Sequence, residues 1–212
     1  SGRVKTFSWR LWFLVGAVIL LLGFYQFSRL VRREVFRDLD FAVTVKVQER
    51  IDRSAHLRLA DAVGNSMEGA TFFASPEFAS GTVLLVTGWG LVTAKGWRRK
   101  AGWLMVPLMF FLIVLGELYG KSVVHHPAPP FFMIKNPTTI FPKYYINEQF
   151  SYPSGHAARA VFIAIVVSSV MYHVSRKGKD LKKGILIGSI LTAYVGLVAV
   201  SRIYLGHHWL SD

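Results

Sequence analysis

The feature that most restricts this chain is an uncharged apolar run from Leu11 to Tyr25, extended by Gln26, Phe27 and Ser28 and flanked by Arg10, Arg29, Arg32 and Arg33. About twenty such residues in helical form cross the hydrocarbon of a bilayer, where every backbone N–H and C=O must be bonded within its own segment. No small-x-small cleavage site follows Tyr25, so the run predicts a first membrane helix rather than a removed signal peptide. Four further runs repeat the pattern: Phe78 to Ala94, Ala101 to Gly116, Ala160 to Ser175 with His173 as its one ionisable group, and Gly184 to Ser201. With 52% hydrophobic and 17% charged residues, the composition excludes an ordinary water-soluble domain. The predicted fold class is all-α, a polytopic membrane helix bundle with five spans in a single membrane-embedded domain over residues 1–212.

Local signals place the ends of these spans. Ser75-Pro76-Glu77 is a helix start, with a capping hydroxyl, a proline in the first turn and an acid on the dipole. Two short basic stretches, Lys95 to Lys100 and Arg176 to Lys183, predict cytoplasmic loops, which also puts the N-terminus with Arg3, Lys5 and Arg10 inside. Residues 30–70 are then an extracytoplasmic or interfacial segment. The connection from Arg29 to Gly69 holds eight Lys or Arg, which opposes that placement, but it is long and mixes in seven acids. Its alternation at Phe41, Val43, Val45 and Val47 fits a strand, while Val47, Ile51 and Ala55 keep helical spacing; an interfacial helix is the preferred reading.

Residues 121–153 differ in kind. Six of the eight prolines lie between Pro127 and Pro153, which predicts a stiff extracytoplasmic loop. The aromatics interleaved there, Phe131, Phe132, Phe141, Tyr144, Tyr145, Phe150 and Tyr152, read as a belt at the lipid headgroups rather than as a cofactor box.

A net charge of +13 favours anionic partners, and hydropathy selects phosphorylated lipid and the bilayer over nucleic acid. The absence of cysteine removes disulfides, thiolate nucleophiles and zinc-thiolate sites. The chain starts at Ser1 and stops at Asp212 in mid-pattern, so the expectation is a C-terminally truncated fragment.

Three polar clusters stand at span ends: Lys121 after the third, Tyr152 to His156 before the fourth, and Ser201 to Asp212 after the fifth. Successive crossings alternate in direction, so all three share one face, gathering Lys121, His156, Arg202, His207, His208 and Asp212. Pro153-Ser154-Gly155-His156 reads as a helix N-terminus in which Ser154 caps, Gly155 lets the backbone approach a ligand, and the free amides attract an anion. His156 then stands over that seat as a proton donor near neutral pH. The plainer reading is a Ser-capped helix. His208 and Asp212 are four apart; if a helix starts there, the carboxylate holds one ring nitrogen and turns the other outward as a nucleophile.

Lys121, Pro153-Ser-Gly-His156 and Ser201-Arg202 through His208 to Asp212 resemble the three signatures of the type 2 phosphatidic acid phosphatase (PAP2) family, the membrane lipid phosphatase branch of the vanadium haloperoxidase-like superfamily. The resemblance covers most of the chain and implies a sixth span beyond Asp212. It also implies dephosphorylation without a metal or other cofactor, through a phosphohistidine. By that likeness His208 attacks phosphorus, Asp212 orients it, and His156 protonates the leaving oxygen. Lys121, Ser154, Gly155 and Arg202 hold the phosphoryl oxygens, and His207 is a bystander. The expected function is hydrolysis of a lipid phosphomonoester or diphosphate at the extracytoplasmic surface of an integral membrane protein of the cell membrane.

One position departs from the family pattern: Ala128-Pro129 stands where an arginine and proline are expected seven residues after the lysine. Loss of one preorganised donor costs on the order of a hundredfold to a thousandfold in rate. Arg159, three residues beyond His156, and His125 or His126 in the loop are accessory candidates to replace it; Arg159 is preferred, against a role snorkelling at the interface. Glu117, one turn before Lys121, is expected to pair with it. Rival functions are a non-catalytic lipid-phosphate binder, suggested by the missing arginine, and a haloperoxidase, which the spans and the lack of a large soluble body oppose. A transporter is the weakest, for want of paired broken helices.

Overall fold

Seven helices account for nearly all of the described chain, and each apolar run of the sequence lies on one of them. The computed structural model describes residues 2–54, 57–135, 149–174 and 181–212, with side chains over 11–53, 62–135, 149–171 and 182–212. Expectations for Ala55, Phe141, Tyr144, Tyr145, Ser175, Arg176, Lys177 and Lys179 lie outside the described residues, as do those for the side chains of Arg3, Lys5, Arg10 and His173.

The helices are α1 (Gly2–Arg32), α2 (Arg37–Ser54), α3 (Leu57–Phe72), α4 (Pro76–Thr93), α5 (Trp97–Val124), α6 (Gly155–Val174) and α7 (Leu181–Tyr204). A short 3-10 turn (Phe131–Met133) follows α5. The five expected spans correspond to α1, α4, α5, α6 and α7. By length and composition, Leu11–Arg32, Trp97–Val124 and Lys182–Tyr204 can cross a membrane, and α6 contributes a shorter apolar stretch, Gly155–Met171. The apolar run of α4 is diluted by Gly81, Thr82, Thr87, Gly88 and Gly90, of which Gly90 is a close helix contact. A Cβ on Gly90 would strike the indole of Trp103 on α5.

Ser75 caps α4 as its sequence predicts, accepting a hydrogen bond from the Phe78 N–H at 3.2 Å. Two ends differ from expectation. The basic residues Arg98, Arg99 and Lys100 are the first turn of α5 rather than a loop, and α5 continues past Gly116 to carry Lys121 within its final turn. Residues 37–54 and 57–72 are helical, so the alternation at Phe41 to Val47 does not mark a strand. Asp38 and Asp40 sit in the first turn of α2, where they complement the dipole.

Helices α4, α5 and α6 enclose a core of Val83, Phe162 and Val166, with Val106, Phe110 and Ile113 packed against it. Ala74, Ala160 and Val198 form a second core of small side chains, next to Tyr194 and Val195. Helix α1 packs against α5, and α3 against α7. Tyr152 is 1% exposed, sharing a 2.8 Å hydrogen bond with Ser28 and stacking on Phe24. It anchors α1 through the core of Val31 and Val124, and so leaves the expected aromatic belt, whereas Phe131 and Phe132 stay largely exposed. The outward face of α1 bares Trp12 at 70% and Leu20 at 75%, with Phe13, Leu21 and Leu22 beside them. So much contiguous apolar surface is stable only against lipid, and the protein is an integral membrane protein.

Candidate active site

The polar cluster lies where the ends of α5, α6 and α7 meet. Helix α7 stops at Tyr204 because Gly206 takes a positive φ of 72°, and a Cβ there would strike the Met133 carbonyl. The chain then folds back on the last turn of α7. The His207 N–H donates to the Arg202 carbonyl at 3.0 Å, and the His208 N–H reaches the same oxygen at 3.3 Å. Residues 205–212 are therefore turns, not the helix on which the His208 to Asp212 spacing was predicated. The pair still forms, with His208 Nδ1 3.2 Å from Asp212 Oδ2, which also accepts the Trp209 N–H at 2.8 Å.

The second oxygen of Asp212 has its own partner. His126 Nδ1 lies 2.8 Å from Oδ1, so the carboxylate is held between two imidazoles and is completely buried. An ionised carboxylate only accepts, so both rings carry a proton on Nδ1 and both turn Nε2 away. Burial pushes the Asp212 carboxyl up, but the hydrogen bonds from His126 and His208 outweigh it and hold the group well below the usual carboxylate range. Burial also pushes His208 down, and although Asp212 opposes this, the Arg202 and Lys121 charges add to the downward side. His208 is thus neutral at neutral pH with Nε2 as a free lone pair, the state a nucleophile requires.

The turn carrying His208 is braced by elements distant in sequence. The buried Asp40 carboxylate on α2 accepts the Ser211 N–H at 2.9 Å and the Ser211 hydroxyl at 2.7 Å. Gln48 on the same helix donates to the Met133 carbonyl at 2.8 Å and the Tyr204 carbonyl at 2.9 Å. Trp209 Nε1 donates to the Pro127 carbonyl at 2.7 Å, tying this turn to the loop after α5. Residues 30–70, expected only as an interfacial segment, therefore support the site. Nothing in the local sequence of α2 marks Asp40 or Gln48 for that duty.

Helix α6 begins at Gly155. Ser154 lies at its N-terminus, with its hydroxyl 3.5 Å from the Ala157 N–H and its own N–H donating to the Asp212 carbonyl at 2.9 Å. This last bond fixes the start of α6 against the nucleophile turn. His156, in the first turn, feels the charges of Arg202, Arg159, His208 and His207. The structure thus brings together Lys121, Ser154, Gly155, His156, Arg202, His208 and Asp212, with His126, Arg159 and half-buried His207 among them.

Gly155 has a more specific cause than ligand approach. A Cβ on it would fall onto the Glu117 carboxylate, which stands against the α6 N-terminus. Glu117 pairs with Lys121 at 3.5 Å as expected, but its closer partner is Arg159 at 2.6 Å. Arg159 is 2% exposed, which rules out snorkelling; its Nε donates to the Ala74 carbonyl at 2.9 Å. The sequence signal for this bridge was present only as matching helical phases, Glu117 with Lys121 and His156 with Arg159. Among the described residues no group of three or more His, Asp or Glu is arranged to hold a metal ion.

Lys121, Arg159 and Arg202 set against Glu117 and Asp212 leave a cluster with a net positive charge at the end of a helix dipole, next to a neutral, oriented imidazole. That arrangement suits an anion and a nucleophilic attack upon it.

Comparison with known proteins bears on the fold and the family. A crystal structure described as the first transmembrane PAP2 type phosphatidylglycerolphosphate phosphatase from Bacillus subtilis superposes with a TM-score of 0.63. The match covers 90% of this chain and 85% of that one at 19% identity, so it bears on the fold. No curated protein matches the sequence. The model of the PAP2 superfamily matches residues 101–212, more than half of the chain, from the second turn of α5 to Asp212. The chain belongs to the PAP2 superfamily.

Proposed function

We propose that this protein is a lipid phosphatase that hydrolyses a phosphomonoester or diphosphate on a lipid whose tail stays in the bilayer. The observation that carries this reading is His208, held by Asp212 at 3.2 Å with Nε2 unengaged by that carboxylate, beside Lys121 and Arg202. In the first step Nε2 forms a bond to phosphorus while the bond from phosphorus to the lipid oxygen breaks. His156 gives its proton to that departing oxygen. Lys121, Arg202, the Ser154 hydroxyl and the amides of Gly155 and His156 carry the charge that builds on the phosphoryl oxygens. In the second step neutral His156 takes a proton from water. The water oxygen bonds phosphorus, the bond to Nε2 breaks, and inorganic phosphate leaves with His208 neutral again. Asp212 stabilises the imidazolium at both stages and need not change its own protonation. His207 takes no step.

The site opens to the extracytoplasmic face in this reading, on the strength of the basic stretches Lys95 to Lys100 and Arg176 to Lys183. A bilayer-anchored substrate suits a cationic cluster at the ends of spanning helices.

The test is phosphate release by the full chain in proteoliposomes from phosphatidic acid, phosphatidylglycerophosphate and undecaprenyl diphosphate, each with chelator present. Release from one of them, abolished in His208→Ala, is the expected result. Release that persists in that variant, or that stops with chelator, overturns the mechanism. Ala128 favours a second reading, a lipid-phosphate binder without turnover, because the family's loop arginine is absent. Saturable lipid-phosphate binding with no release from any substrate selects it.

A further inference from the structure

Two guanidinium groups of the site carry buried N–H groups without a hydrogen-bond partner among the described residues: the NH2 nitrogen of Arg159 and the Nε of Arg202. Unmet buried donors of this kind are rare in folded proteins and call for an acceptor. For Arg159 the other two nitrogens each have a partner. Nε is fixed by the Ala74 carbonyl at the turn before α4, and NH1 by Glu117 Oε2 at 2.6 Å. Glu117 is itself held by Lys121 and seated against Gly155, so the guanidinium plane is set from two sides. The group acts electrostatically on Lys121, His156 and Arg202, residues of the same polar cluster.

We propose that Arg159 is the guanidinium that binds the phosphoryl group in this protein, presented from the first turns of α6 and aimed by Glu117, in place of an arginine at position 128. Three observations bear on it together. Ala128 supplies no cation, and its N–H is engaged with the Gln149 carbonyl in the backbone pairing that joins Pro127 to Phe150. Arg159 is almost wholly buried although it carries a full charge, and its one carboxylate partner among the described residues is shared with Lys121. Lys121, Arg159 and Arg202 exceed Glu117 and Asp212 by one positive charge, so the cluster calls for an anion. A phosphoryl oxygen meets the free edge of Arg159 as a charge-assisted acceptor. Glu117 is a positioning residue in this arrangement: it touches the guanidinium and not the substrate.

The inference rests on the phosphatase reading for its role in turnover, but binding tests it separately. The experiment measures equilibrium binding of orthovanadate and of inorganic phosphate to the full chain in detergent by calorimetry, alongside phosphate release from the best lipid substrate. Arg159→Lys keeps the charge but cannot span Ala74, Glu117 and a ligand together. It is expected to keep the thermal transition, to bind both anions roughly tenfold to a hundredfold more weakly, and to lose on the order of a hundredfold in kcat/KM. Arg159→Gln, without the charge, should lose more in both. Anion affinities within twofold of the unaltered protein in a folded Arg159→Lys or Arg159→Gln variant overturn the proposal, whatever happens to turnover. Binding of either anion without turnover by the unaltered protein counts against the phosphatase reading alone.

Discussion

His126 Nδ1 lies 2.8 Å from Asp212 Oδ1, on the opposite oxygen of the carboxylate that orients His208. Had His126 replaced the family's loop arginine as a phosphate ligand, its donor would face the substrate; it faces Asp212 instead. Its effect on turnover therefore passes through the aspartate. His126→Ala leaves a buried carboxylate oxygen unpaired, a loss of about 1.5–3 kcal/mol for a bond to a charged group. Turnover should fall roughly tenfold to a hundredfold by kcat, with KM little changed. Steady-state kinetics on the variant check this; a change confined to KM would make His126 a substrate ligand.

The depressed affinity of His208 for protons sets the acid side of the pH profile. Attack requires the neutral ring, and a proton on Nε2 blocks it. Because burial, with the Arg202 and Lys121 charges, holds the group below the ordinary histidine value, the neutral form persists as pH falls through about 6.5. The expectation is that the acid limb of kcat/KM, where His208 takes up its proton, lies below that value. Asp212→Asn should cost about four orders of magnitude, since an amide can stabilise the wrong tautomer and cannot offset the imidazolium. An acid limb centred at or above the ordinary histidine value in the unaltered protein would refute the assignment.

Asp40 braces the nucleophile turn from outside the three signature clusters. It receives both the N–H and the hydroxyl of Ser211, one residue before Asp212, while Thr44 donates to its carbonyl at 2.8 Å. Asp40→Ala strands two buried donors and should lower stability by about 2–4 kcal/mol, with turnover falling as the Asp212 turn loosens. Ser211→Ala removes one bond and should cost about half as much. Thermal unfolding in detergent orders the two variants. Equal stability in both would mean that the brace contributes little.

The helices were legible because their signals are local. The apolar run from Leu11, the Ser75-Pro76 start and the strings around His156 and His208 each announce themselves within a few residues. Alternating crossings then placed Lys121, His156 and His208 on one face without any knowledge of packing. What escaped the sequence depends on tertiary contact. Tyr152 looked like one more interfacial aromatic until its hydroxyl met Ser28 on α1. The alternation of Phe41 to Val47 left a strand open beside the preferred helix, and only the tertiary engagement of Asp40, Thr44 and Gln48 along α2 shows what the helix is for. Whether His208 and Asp212 met through a helix or a turn could not be read from a spacing of four, because Gly206 decides it through the Met133 carbonyl.

Gly155 offers the sharpest test of how the phosphate seat is assembled. A methyl group at this position collides with the Glu117 carboxylate, which cannot retreat without leaving Lys121 and Arg159. Gly155→Ala should therefore destabilise the protein by about 1–3 kcal/mol, the usual cost of overpacking, and reduce phosphate release as the two cations shift. If the collision is the cause, the penalty must depend on Glu117. In a Glu117→Ala background the space is empty, and the same glycine substitution should become nearly neutral in stability. The coupling read from that double-mutant cycle should reach about 1 kcal/mol or more. A Gly155→Ala penalty of equal size in both backgrounds would show that the glycine is required by something other than Glu117.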